Sequence, residues 1–344
     1  MTTSWHGRGS SASSPISSKH RSAGRTDAQD ILRVAVAHLE AADMQTPSRR
    51  ASGFRLSAVL LAAASLSGCA FVTTRATTMV ANTLASGGTT ITSDNDPDFV
   101  RDAVPFGLKT YESLLQSIPR HVPLLRATCS GFASYAYGYL ATDADEVRFT
   151  NREAAKALDL RTLNMYLRAH EYCARALEVR FKGITKALLT APEPLLARAR
   201  KDDVELLYWS AASWGLAMSL SPDTLAIDFP AVRALAERGL ALDERWYYGA
   251  LHELMIVLEG QELLGGSHDR AREHFRRAVD IQSGLSPGPY LSLATSVALS
   301  KQDRAEFESL LTQALAVDPQ WPAKRAADHA AAAAPGPRPA GAGR

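Results

Sequence analysis

The chain has 344 residues, 46% hydrophobic and 22% charged, with a formal net charge of +2. These values match ordinary soluble proteins and exclude both a disordered chain and a multi-span membrane protein, while the length suits two average domains or one extended helical array. Residues 1–68 carry eight Lys and Arg against four Asp and Glu, and the remainder carries 30 against 32; this near-neutral body, without a basic patch interleaved with aromatics, is a poor partner for nucleic acid.

Residues 1–43 are rich in Ser, Arg and Ala without sustained periodicity and read as an extension ahead of a true start at Met44. From there the segment 44–68 has the form of a secretory signal: Arg49, Arg50 and Arg55 make a basic region, and Leu56 to Leu66 is an uncharged apolar run of eleven residues. A bilayer span needs about 20 apolar residues, so this run is too short to anchor as a helix. Leu66, Ser67, Gly68 and Cys69 match a bacterial lipobox, which makes Cys69 the expected lipidation site and the first residue of the mature chain. Each buried acyl methylene adds about 0.8 kcal/mol, so two or three chains hold a protein durably. The competing reading, an internal hydrophobic helix ending at a buried cysteine, ignores these flanking signals. Export leaves Cys129 and Cys173 in an oxidising compartment, where they either pair or remain small buried thiols.

Residues 69–92 are rich in Thr, Ala and Gly and read as a tether from the lipid. The helical domain is expected over 93–322. Asp96 is a candidate N-cap with Pro97 at the first helical position, and Pro105 is expected to kink or restart the helix. Leu108, Tyr111, Leu115 and Ile118 then share one apolar face. Asp94, Asp96 and Asp98 imitate the start of a calcium loop, but Phe99 stands where the turn glycine is needed and Pro105 where the bidentate glutamate is needed, so no metal is expected. A further helix carries Phe132, Tyr135 and Tyr139 on one face, with Tyr137 pointing elsewhere; Gly131 and Gly138 mark places where another helix can approach. Helices are expected over 163–179, 204–220, 231–242, 247–259, 268–281, 290–299 and 304–317, with no convincing strand.

The helices repeat loosely. Leu240-Ala-Leu242, Val279-Asp-Ile281 and Leu315-Ala-Val317 close successive second helices, and Ala271, Phe275 and Ala278 fit the second-helix pattern of tetratricopeptide repeats, with Pro319 at the closing position. The fold expected is therefore all-α, a tetratricopeptide-like helix-pair array. Residues 323–344 form a low-complexity tail, expected to be disordered.

Catalytic motifs are scarce, and neither an enzyme nor a cofactor is expected. His252 and Glu253 begin a zinc-protease-like helix, yet Ile256 replaces the second histidine ligand. The segment LLYWSAASWGLAM is apolar nearly all round: Leu207, Ala211, Trp214 and Met218 make one stripe, while Tyr208 and Trp209 fall on other faces. Such a helix is either a central core element or one that shows aromatics to an apolar ligand cavity or a neighbouring subunit. Tyr135, Tyr139, Tyr208, Trp209 and Trp214 are the candidate ligand- or pore-lining residues.

Five segments in order, Asp94 to Leu115, Met165 to Glu178, Leu206 to Gly215, Tyr248 to Leu254 and Ala271 to Asp280, resemble the TatT-like T component of tripartite ATP-independent periplasmic (TRAP) transporters. The resemblance implies an all-helical lipoprotein facing the periplasm, assembled as a homotrimer around an apolar pore or cleft. It further implies a hydrophobic small ligand and a periplasmic solute-binding protein as partners. Ala70 after the lipid site favours the outer membrane. The alternative is a helical-repeat scaffold for envelope assembly with no ligand of its own.

Overall fold

The computed structural model describes residues 75–86, 91 and 94–318, all within the unit that begins at Cys69. The extension before Met44, the signal segment, Cys69 and the tail from Ala323 lie outside the described residues. No helix among the described residues is long and apolar enough to cross a membrane, and none of them forms a strand.

Helix α1 spans 75–86. It docks on the body through the fully buried Ala81, the Leu84 carbonyl that accepts the Tyr111 hydroxyl at 3.1 Å, and Asn82 Oδ1 at 3.0 Å from His121 Nε2. Over these residues the expected tether is thus a packed helix. Helix α2 (Pro97–Ser117) starts as expected: the Asp96 carboxylate accepts the Phe99 amide at 3.0 Å, and Asp94 accepts the Asp96 amide at 2.9 Å. Here the acidic cluster builds a turn and a cap. Pro105 neither restarts nor ends the helix, which continues to Ser117; the proline is on an exposed face, where losing one backbone hydrogen bond costs least.

Helix α3 (Val122–Tyr135) passes through a π-helical turn, Ala136–Ala141, into a last α-helical stretch, Thr142–Val147. Helix α4 (Arg152–Arg180), capped by Asn151, begins well before the expected 163, because its first turns mix small alanines with charged residues and show a weaker apolar stripe than the later turns. Then follow α5 (Val204–Leu220), α6 (Phe229–Leu242), α7 (Ala250–Glu259), α8 (His268–Gln282), α9 (Gly288–Leu293, continued by the π turn Ala294–Ala298) and α10 (Arg304–Leu315). The echoing tripeptides fall at the ends of α6, α8 and α10.

From α2 to α10 each helix packs on its successor, and α5 also packs on α3, giving an all-α array. Its main core is formed by Leu124, Leu125, Cys129, Ala169, Leu207 and Leu235 with their neighbours, and a second core joins Ile256, Ala271, Ala278, Leu293, Val297 and Leu310. Phe275 packs edge-on to Tyr290 beside this second core, with ring centres 5.4 Å apart. Of the two states open to the cysteines, pairing is the one found: Cys129 and Cys173 form a disulfide between α3 and α4, their Cα atoms 5.4 Å apart. Gly131 marks a close approach, since a Cβ there would lie 2.6 Å from Leu108 Cδ2, whereas Gly138 faces nothing within 4 Å. Only the first of the two expected contacts therefore exists.

Candidate functional site

Helices α5 and α7 each combine a core stripe with a second face that is also apolar. On α5, Leu207, Ala211, Trp214 and Met218 are all buried. The other face, Tyr208, Trp209, Ala212, Gly215, Leu216 and Ser219, follows helical spacing and looks into a cavity of about 630 Å³. Opposite it, Ala250, Glu253, Leu254, Val257 and Leu258 make the matching face of α7, and Gln261 lies just beyond its end. Ala133, Ser134 and Tyr137 from α3 and its π turn close one side, and Phe229 of α6 contributes to another. A cavity of this size with apolar walls and few polar groups has the dimensions of a small-molecule site.

The five candidate aromatics separate. Tyr208 and Trp209 line the cavity, in edge-to-face contact with ring centres 5.0 Å apart. Trp214 is turned away into the core and packs on His170, at 4.4 Å between ring centres. Tyr135 and Tyr139 pack on each other at 5.5 Å, outside the cavity; the Tyr139 hydroxyl donates to the Pro97 carbonyl at 3.0 Å and Arg101 lies over its ring. Tyr137, the residue pointing away from that face, is the tyrosine of this segment that reaches the cavity. The residue is 64% exposed and lines the cavity. Loss of hydration raises its pKa first, and the negative charges of Glu253 and Asp145 raise it further, so the hydroxyl stays protonated.

Between α6 and α7 the chain takes a shape that periodicity did not show. Tyr247, expected inside a helix, and Tyr248 have φ of 44° and 58°, followed by Gly249 at 79°. Non-glycine residues in the left-handed region cost of order 1–3 kcal/mol each and persist only where the surroundings fix them. Here Trp246 packs on Tyr208 at 5.0 Å and on Tyr247 at 5.5 Å, an aromatic row that sets where α7 begins and hence the cavity's second wall.

On its other side α7 borders a more open cleft of about 860 Å³ whose charges already satisfy one another. Glu259, almost wholly buried, accepts from Arg233 at 2.6 Å, from Arg270 at 2.9 Å and from the Ser267 amide at 3.0 Å. Burial opposes ionisation of Glu259, but the hydrogen bonds from Arg270 and Arg233 outweigh it and lower its pKa. The Arg277 hydrogen bond brings Glu244 down to about 2. His252 Nδ1 lies 2.8 Å from His274 Nδ1, and burial, followed by the neighbouring His274, lowers His252 to about 4. His252 and Glu253 are therefore divided between two surfaces: Glu253 lines the cavity and accepts the Gln282 side-chain amide. No group of three or more His, Cys, Asp or Glu among the described residues could hold a metal ion. The charged groups of the cleft pair with one another, whereas the walls of the cavity are largely apolar.

Residues 93–331 match the family model described as the TRAP transporter T-component. A protein of Treponema pallidum (strain Nichols), described only as uncharacterized, is 27% identical over 237 residues, covering 67% of this chain and 73% of that protein. The matched span takes in every helix from α2 to α10. The chain belongs to the TRAP transporter T-component family.

Proposed function

We propose that this chain is the lipid-anchored, envelope-facing T component of a TRAP transporter, that its cavity holds a hydrophobic small ligand, and that it passes the ligand to or from a periplasmic solute-binding protein. The observation that carries this reading is the cavity itself, walled by matching apolar faces of α5 and α7. A membrane anchor at Cys69 fits the lipobox and supplies the bilayer attachment. The Cys129–Cys173 bridge supports an oxidising compartment, since such bonds are rare in the reducing cytosol. The helix pairs from α7 to α10 fit tetratricopeptide-type stacking, which buries a core between neighbours and leaves an outer surface for protein partners. A homotrimer, as in the family's expected assembly, would extend three such cavities around a shared axis.

The affinity follows from area. A ligand that gives up about 200 Å² of apolar surface gains about 5 kcal/mol, part of which offsets lost translational and rotational freedom. Binding of that strength holds a molecule yet releases it to a partner. Protein purified from its own host in mild detergent, examined by native mass spectrometry before and after organic extraction, tests the reading. A co-purifying apolar molecule and retention of the solute-binding protein support it. A ligand-free chain that binds no solute-binding protein, or one without acyl mass at Cys69, sinks the corresponding part.

A further inference from the structure

Resting on the reading of Cys69 as acylated, we infer that helix α1 lies in the bilayer surface along its outer face, so that the anchored body is seated on the membrane rather than held on a loose leash. The helix has two unlike faces. Ala81, fully buried, and the partly buried Thr77, Leu84 and Ala85 turn toward the body. Ala76, Met79, Val80 and Thr83 share the opposite face at helical spacing, where Met79 is 71% and Val80 51% exposed. The hydroxyls on this side bond back to their own helix: Thr83 Oγ1 donates to the Met79 carbonyl at 3.1 Å and Ser86 Oγ to the Asn82 carbonyl at 3.0 Å. Such bonds satisfy a hydroxyl without water, as contact with an apolar medium requires.

What covers this face follows from where the chain comes from. Residues 70–74 alone separate Cys69 from the start of α1, and a chain extended by at most about 3.6 Å per residue keeps Arg75 within about 22 Å of the acylated residue. Arg75 is the one charged residue from 69 to 93, and no Asp or Glu occurs there, so nothing in this stretch of sequence repels an anionic lipid head group. A helix with an apolar outer face and no acidic residue, tied to acyl chains just ahead of its amino end, meets the conditions for interfacial binding, in which a second hydrophobic signal adds to the first. The inner face holds the body to that helix: Tyr111 of α2 donates to the Leu84 carbonyl, and His121, the cap of α3, contacts Asn82. The body's orientation on the bilayer is then set by α1 and not by the length of the link.

The test is electron paramagnetic resonance on the full chain as its host acylates it, reconstituted in vesicles of phosphatidylethanolamine and phosphatidylglycerol. Spin labels are placed singly through Met79→Cys, Val80→Cys and, at an exposed position opening the last helix of the array, Arg304→Cys. The chain has three cysteines of its own; with Cys69 acylated and Cys129 bonded to Cys173, each introduced thiol is the one that reacts. Collision rates with oxygen, which concentrates in lipid, and with a water-soluble nickel chelate give a ratio that rises with depth. The ratio at 79 and 80 should exceed that at 304 severalfold, and Met79→Asp should pull the value at 80 down toward that at 304. All these positions are exposed, and circular dichroism checks that each variant is folded. Equal ratios at 79, 80 and 304 overturn the inference and leave the anchor standing. Exclusion of both reagents from 79 and 80 also overturns it, and puts a second copy of the chain on this face instead. Absence of acyl mass at Cys69 overturns the anchor, and this inference with it.

Discussion

Replacing both Cys129 and Cys173 by Ala removes the covalent link between α3 and α4, and the size of the effect follows from the chain it closes. The two residues are 44 apart in sequence. In the chain-entropy model a loop of that length, freed in the unfolded state, lowers stability by about 4 kcal/mol. For a body of 150–250 residues each kcal/mol moves Tm by roughly 2–4 °C, so the midpoint should fall by roughly 8–16 °C. Both positions are fully buried, so the substitution is a cleaner perturbation than added reductant, which would reach the bond only on opening. Paired thermal melts of wild type and double variant, with alkylation of denatured unreduced wild type counted by mass, make the assay. A fall of less than about 3 °C would contradict the entropy argument, and two alkylated thiols in the wild type would contradict the bridge itself and the exported compartment it supports.

Other consequences are more local. Gly260→Ala should destabilise by about 1–3 kcal/mol, because the new Cβ meets Ser296 Cβ at 2.7 Å and its backbone oxygen at 2.8 Å, while Gly138→Ala, open on all sides within 4 Å, should stabilise by about 0.5–1 kcal/mol; urea midpoints of both variants check the contrast. Burial lowers His170 and His252 to about 4. A histidine whose folded pKa lies below its unfolded value gives stability that is full above about 6.5 and is lost as pH falls towards 4. Unfolding midpoints should therefore drop between about pH 6.5 and 4, and His170→Phe should flatten that slope; an unchanged slope refutes the assignment. Glu244, held near 2 by Arg277, acts in a lower window, its contribution being lost only as pH falls from about 4.3 towards 2. Val257→Asp, at a half-exposed cavity position, should leave Tm nearly unchanged and weaken decanol binding by about tenfold or more, since a charge then faces the apolar chain; equal binding would remove the site from the cavity.

Much of the array was legible in the sequence, because the Asp96 cap and the tripeptide echoes at the ends of α6, α8 and α10 are local signals. The whole span of α5 was readable too, since Val204 to Leu220 is apolar on every face. The same quality hid its division of labour: periodicity placed Trp214 on the stripe with Leu207 and Ala211, but could not say which stripe faced the core. The start of α4 and the left-handed Tyr247 and Tyr248 were not readable, because the first turns of α4 mix short alanines with charged residues and the tyrosines are fixed by packing around Trp246 and Tyr208 rather than by propensity. On the second wall, Ala250, Leu254, Val257 and Leu258 recur at helical spacing and could have been found in the sequence. The polar pair His252 and Glu253 interrupts the apolar run and obscures that face in the sequence. Tyr137 was separable from Tyr135 and Tyr139 by helical angle, and its shared face with Ala133 was the available clue.

The most direct test is a calorimetric titration of decanol into wild type and Ala212→Trp, a substitution that fills the cavity from the α5 side. The account predicts one saturable site per chain in the wild type and none in the variant. No saturable binding to the wild type, or the same binding to both, would contradict it.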